Sequence, residues 1–136
     1  MILSPEEFVR LRRSESPADY RRAAEEEAPL EVWLSVIDQF PDMREWVAHN
    51  KTVPLGVLER LASDSNAAVR ATVASKRKLS EGLQALLCAD LDASVRERLA
   101  CNANVNESVL RLLAEDAEEF VRSAATKRLC GRQNAL

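Results

Sequence analysis

Glycine is scarce in this sequence, with three residues in 136, and no glycine-rich phosphate loop can be drawn from them. Aromatic residues make up 4%, too few to suggest a platform for stacking nucleic-acid bases. There is one histidine, His49, without an acid or nucleophile at an interpretable spacing, so acid–base or covalent catalysis finds no support. The three cysteines, Cys88, Cys101 and Cys130, form no close pair. They read as free thiols, and no metal-ligand spacing emerges. Long apolar runs are missing although 46% of the residues are hydrophobic, which argues against both a membrane span and a disordered chain. The start, Met1 to Glu7, lacks the basic-then-apolar order of a secretion signal, and a cytoplasmic location is expected. The net charge of −3 weighs against general affinity for nucleic acid or anionic membrane.

What the sequence does have is a period. On a 26-residue ruler Arg44, Arg70, Arg96 and Arg122 share a column, preceded by Met43, Val69, Val95 and Val121. Val47, Val73, Leu99 and Ala125 follow three places later; Leu61, Leu87 and Leu113 form another column, and Asp64, Asp90 and Asp116 another. Self-similarity at such a period marks a stack of supersecondary units. One unit alone buries too little apolar surface to offset the ordering of its own backbone, so the units need one another and need caps.

Each unit reads as two short helices. The first carries apolar residues four apart, as in Val69 and Val73, and stops at a polar stretch such as Ser75-Lys76-Arg77-Lys78. The second opens at Pro54, Ser80 or Asn106, residue types that suit a helix start. Its apolar face is Val57-Leu58-Leu61-Ala62, Leu83-Leu86-Leu87 and Val109-Leu110-Leu113-Ala114, a 3.6-residue spacing. Pro29 to Ile37 repeats the pattern of Pro54 to Ala62 at an offset of 25. Upstream, Ser4-Pro5-Glu6-Glu7 and Ser16-Pro17-Ala18-Asp19 read as helix starts. The expected fold is all-α: a short right-handed α-solenoid of paired short helices. Residues 1–28 form an N-terminal helical cap, 29–130 the repeats, and 131–136 a flexible tail that begins where Gly131 ends the last helix.

The unit Val-Arg-x-x-Val-Ala, polar residues, then Pro-x-x-Val-Leu-x-x-Leu-Ala-x-Asp, resembles the leucine-rich repeat variant family and the wider group of HEAT-like helical repeats. The likeness rests on Arg44 to Asp64 and on Val95 to Asp116, and covers roughly residues 29 to 130. It implies alternating short helices, the first of each pair sometimes tightened toward 3₁₀ form. Some members carry a cysteine cluster with an iron–sulfur centre; nothing here matches it, and no cofactor or metal is expected.

Two readings of the arginine column compete. As a ladder of cations it would hold phosphates or an acidic partner. As a structural ladder, each arginine would pair with the aspartate six residues earlier: Asp64 with Arg70, Asp90 with Arg96, Asp116 with Arg122. The acid recurs with the same period as the base, which favours the structural reading. Residues that break the columns are better partner-binding candidates. Trp46 stands where Thr72 and Arg98 stand later, a position expected to face out, unless Trp46 packs under the N-terminal cap. Lys76, Arg77 and Lys78 form a basic cluster beside His49 and Lys51 of the preceding unit's loop and Asn104 of the following one, a polar edge or simply a solvated one. Phe120 reads as closing the C-terminal end, Cys88 as a small core residue, and Glu25-Glu26-Glu27 as a solvated face.

The leading expectation is therefore a non-enzymatic protein-binding module of bacterial type: a scaffold, an assembly factor, or an immunity or antitoxin-like inhibitor. Its partner would be another protein, for instance a basic one such as a toxin or a complex subunit. The alternative is a HEAT-like nucleic-acid binder using Arg44 to Arg122 and Arg77. A monomer or weak self-association fits either.

Overall fold

A computed structural model describes residues 1–134. Among these the chain is all-helical: ten α-helices, one 3₁₀ turn and no strand. Among the described residues no helix is long and apolar enough to cross a membrane. The chain divides into two compact units, Met1–Leu61 and Ala62–Leu136. This boundary falls within residues 29–130, the stretch expected to hold the repeats.

The first unit holds α1 (Pro5–Arg13), α2 (Pro17–Glu25), α3 (Leu30–Gln39), a 3₁₀ turn (Pro41–Met43), α4 (Arg44–His49) and α5 (Leu55–Leu61). Local chemistry explains where α1 starts. Ser4 Oγ accepts from the Glu7 amide at 3.1 Å while the Glu7 carboxylate accepts from the Leu3 amide at 3.0 Å, so two orphan donors are satisfied reciprocally. The core of this unit is Ile2, Phe8, Leu11, Trp33, Val36 and Val47, with the Phe8 and Trp33 rings edge to face at 5.3 Å. Helix α1 packs on α2 and α3, and α2 packs on α4.

The second unit holds α6 (Ala67–Ala74), α7 (Glu81–Cys88), α8 (Ala93–Ala100), α9 (Glu107–Leu113) and α10 (Glu119–Asn134). Asn66 and Asp92 cap α6 and α8, accepting from the amides of Ala68 at 2.9 Å and Ser94 at 2.8 Å. Ser80 caps α7 through the Leu83 amide, whereas the Asn106 side chain makes no cap bond to α9. There Gln84, buried in α7, accepts from the Asn106 amide at 2.8 Å and fixes the start of α9 from the neighbouring helix. Helix α8 lies between α6 and α10, and α9 packs on α7 and α10. The periodic columns Val69, Val95, Val121 and Leu87, Leu113 are fully or almost fully buried.

Four expectations change. Gly131 does not end the last helix: α10 runs on to Asn134, and Arg132 donates to the carbonyls of Ala103 and Val105 at 3.0 and 2.5 Å. The tail expected over 131–136 is thus helical to 134, and residues 135 and 136 lie outside the described residues. Leu86, placed on the apolar face, is 49% exposed; it shares its column with exposed Arg60 and Leu112, on the outer side of its helix. Cys88 is half-buried, not core. Phe120 is 45% exposed and lines an open cleft.

Candidate functional site

Two arginines of the column, Arg70 and Arg96, are internally committed, but with a different carboxylate partner from the one expected. Arg70 Nε donates to Asp90 Oδ2 at 2.8 Å and its Nη2 to Asp90 Oδ1 at 3.2 Å. Arg96 repeats this with Asp116 at 2.7 and 3.1 Å. The aspartate six residues earlier supplies only its backbone carbonyl: Nη1 of Arg70, Arg96 and Arg122 reaches the carbonyls of Asp64, Asp90 and Asp116 at 2.7, 2.6 and 2.7 Å. Each aspartate also turns its carboxylate onto the amide two residues on, Asn66, Asp92 or Glu118, at 2.9 Å, which opens the next helix. The expected carboxylate pairing of Asp64 with Arg70, Asp90 with Arg96 and Asp116 with Arg122 is therefore corrected. Arg44, in the first unit, donates through Nε to the Ile37 carbonyl at 2.8 Å.

Burial makes these pairs matter. The side chains of Arg70 and Asp90 are 17% and 8% exposed, those of Arg96 and Asp116 14% and 9%. The hydrogen bonds to Asp90 and Asp116 hold the two guanidinium groups above their ordinary range. The Arg96 hydrogen bond likewise holds the Asp116 carboxyl below its ordinary value.

A second set of polar residues went unread. Asn50 is fully buried, and its amide donates to the carbonyls of Ala23 at 2.7 Å and Glu26 at 3.0 Å. Asn102, 52 residues on, is also buried and donates to Ala74 and Lys76 at 2.9 and 2.8 Å. Their carbonyl oxygens accept from the amides of Thr52 and Asn104. In each unit one asparagine ties an inter-helix loop to the end of an earlier first helix, α2 or α6. The pattern Asn-x-Thr and Asn-x-Asn at twice the period was the available signal.

The candidate binding residues separate. In the first unit Trp46 is half-buried, with the Arg12 guanidinium 3.6 Å above its ring and His49 edge-on at 6.1 Å. Arg12 also lies 5.0 Å from the Tyr20 ring, so one guanidinium of α1 is shared between Trp46 and a ring of α2. His49 is exposed, and Lys51, also exposed, pairs with Glu25 at 3.2 Å. Thr72, in the Trp46 column, is buried, and its hydroxyl is satisfied by donating to the Ala68 carbonyl at 3.0 Å, so the column expected to face out does not do so there.

In the second unit Arg77 and Asn104 do come together, lining a cleft with Arg98 and Cys101; Arg77 and Lys78 are exposed, Lys76 half so. An adjoining cleft shares Cys101 and Ala103 and adds Phe120, Lys127, Arg128 and Arg132 from α10. Arg128 and Arg132 brace it by donating to the carbonyls of Cys101 and of Ala103 and Val105. The result is a cationic edge: Arg77, Arg98, Lys127, Arg128 and Arg132 against one acid, Glu97. Only Arg77 and Asn104 of this edge stood out in the sequence, because the α10 cations sit in a helix with no charge run. Elsewhere burial pushes the Cys88 thiol up. Among the described residues no group of three His, Cys, Asp or Glu side chains could hold a metal.

Comparison of the chain with protein-family models, curated proteins and solved structures returns no match.

Proposed function

We propose that the chain is a non-enzymatic binding module whose cationic edge docks an acidic segment of another protein. The observation that carries this is the convergence of Arg77, Arg98, Lys127, Arg128 and Arg132 on two adjoining open clefts with Glu97 as their one acid. Net charge alone favours a basic partner; the local charge of this edge favours an acidic one. The buried arginines add nothing to it, since Arg70 and Arg96 spend their forks on Asp90 and Asp116. The 26-residue columns and the repeated Arg–Asp geometry support a short right-handed solenoid of the HEAT-like or leucine-rich repeat variant kind. A scaffold, an assembly factor and an immunity-like inhibitor all work by such docking, and the cytosol suits each.

The second reading, phosphate tracking along nucleic acid, is favoured by the same cations. The lone aromatic at the edge, Phe120, and the overall charge of −3 weigh against it. Affinity capture from host lysate separates the two, using wild type and an Arg77→Glu/Arg98→Glu variant, each with and without nuclease. The proposal expects a protein retained after nuclease and lost by the variant. Recovery that vanishes with nuclease in the wild type would move the edge to nucleic acid.

A further inference from the structure

Among the described residues of the second unit, the arginine ladder has one fork that no carboxylate fills. Arg122 is positioned like Arg70 and Arg96, with Nη1 held by the Asp116 carbonyl at 2.7 Å and additionally by the Ala117 carbonyl at 3.0 Å. In Arg70 and Arg96 the remaining edge, Nε with Nη2, chelates an aspartate. Among the described residues no carboxylate meets that edge of Arg122. The guanidinium is thus pre-oriented by two backbone acceptors, half-buried, and open on the side that elsewhere reads a carboxylate.

Its surroundings say what fits. Ala74 and Ala100 are completely buried between successive helices, α6 with α8 and α8 with α10. Their column continues at Thr126, which is exposed. A helix stacking there as α10 stacks on α8 would meet a larger side chain and orphan its hydroxyl. The face around Arg122 is lined by Ser123, Thr126 and Lys127 together with Ala114 and one acid, Glu119: its hydroxyls and two cations outnumber that acid and suit a single carboxylate better than an apolar surface. Ser123 and Lys127 also line the cleft beside Cys101, so the fork is continuous with the cationic edge.

We infer that the Arg122 fork is the specificity anchor of that edge, reading one aspartate side chain of the docked acidic segment by bidentate hydrogen bonds. The inference rests on the proposed acidic-segment docking and adds which residue selects, and for what. Its template lies within the protein: the Asp90-Leu91-Asp92 turn presents Asp90 to the Arg70 fork, with Oδ1 shared by the Asp92 amide.

The test is side-chain NMR on the intact ¹⁵N-labelled protein, with a capped peptide reproducing Ala89–Val95 as probe. The Nε–Hε signals of Arg70 and Arg96 serve as internal standards for a carboxylate-filled fork. On titration the Arg122 signal should move toward theirs and saturate. The Asp90→Asn version of the peptide should bind roughly tenfold more weakly, because the charge-assisted pair is lost. Arg122→Lys should remove that preference while leaving weaker binding, since lysine keeps the charge but not the fork. If the backbone amides of Arg98 and Cys101 saturate while Arg122 stays still, the anchor is overturned and the docking edge survives. If Arg122 moves and those amides do not, the fork is a carboxylate site and the docking edge falls. No movement of either at millimolar peptide overturns both.

Discussion

Replacing Arg96 with methionine probes how the second unit is held. Methionine keeps much of the unbranched stem but removes every donor, so Asp116 is left as a carboxylate with 9% of its side chain exposed and no cation bonded to its oxygens. Three bonds disappear: two to Asp116 at 2.7 and 3.1 Å and one to the Asp90 carbonyl at 2.6 Å. Stripping one partner from a buried pair costs about 3–5 kcal/mol, and the slight exposure of both groups brings the expectation to about 2–4 kcal/mol. For a unit of this size that lowers Tm by about 10 °C or more. Far-UV circular dichroism in urea is the assay, because both tryptophans, Trp33 and Trp46, lie in the first unit and report on that unit alone. A double-mutant cycle decides between registers. Arg96→Met with Asp116→Asn should show a coupling of about 1.5–3 kcal/mol, and Arg96→Met with Asp90→Asn one within about 0.5 kcal/mol. The second pair couples little because Arg96 holds the backbone of Asp90, which the substitution leaves in place. A larger coupling for positions 90 and 96 than for 96 and 116 would refute the geometry.

Two further perturbations have opposite pH signatures. The depressed Asp116 pKa means its contribution is complete above the unfolded carboxyl value near 4 and is lost as pH falls below about 4. Wild type should therefore lose urea stability below that pH more steeply than Asp116→Asn; parallel curves would contradict the pairing. Asn102→Asp places a carboxylate against the carbonyls of Ala74 and Lys76, at positions where the amide donates at 2.9 and 2.8 Å. It should cost about 3 kcal/mol or more at neutral pH and less in acid, where protonation restores one donor. A penalty independent of pH would show that the site relaxes instead.

The 26-residue columns made the helices and most of the core legible: Val69, Val73, Val95, Leu99 and Val121 are buried where the spacing places them. The carboxylate partner was not legible, for an arithmetical reason with a physical content. An aspartate six residues before an arginine and one twenty residues after it occupy the same column of a 26-residue ruler, so periodicity cannot tell them apart. Three-dimensional packing does. The arginine sits one turn inside its helix and reaches the turn that opens the next first helix, as Arg70 reaches Asp90. Asn50 and Asn102 were missed because Lys76 interrupts their column, and polar loop residues read as solvated. Leu86 misled because its helix is short enough for apolar residues to occupy both faces; the charge of Arg60 in the same column was the warning.

Charge misleads in a related way. The total of −3 sums two unlike units: the first has eight basic and twelve acidic side chains, the second eleven and ten. Within the second, Asp90 and Asp116 are consumed by Arg70 and Arg96, which removes both signs from the surface together. What a partner meets at the loop edge is then set by placement, where Arg77 and Arg98 face cations projecting from α10. A partner approaching within a Debye length, roughly 10 Å at 0.1 M salt, responds to that edge and not to the total. The acidic overall balance is therefore compatible with the acid-seeking edge proposed above, and the sign of the partner proposed for it rests on the arrangement of a few guanidinium groups.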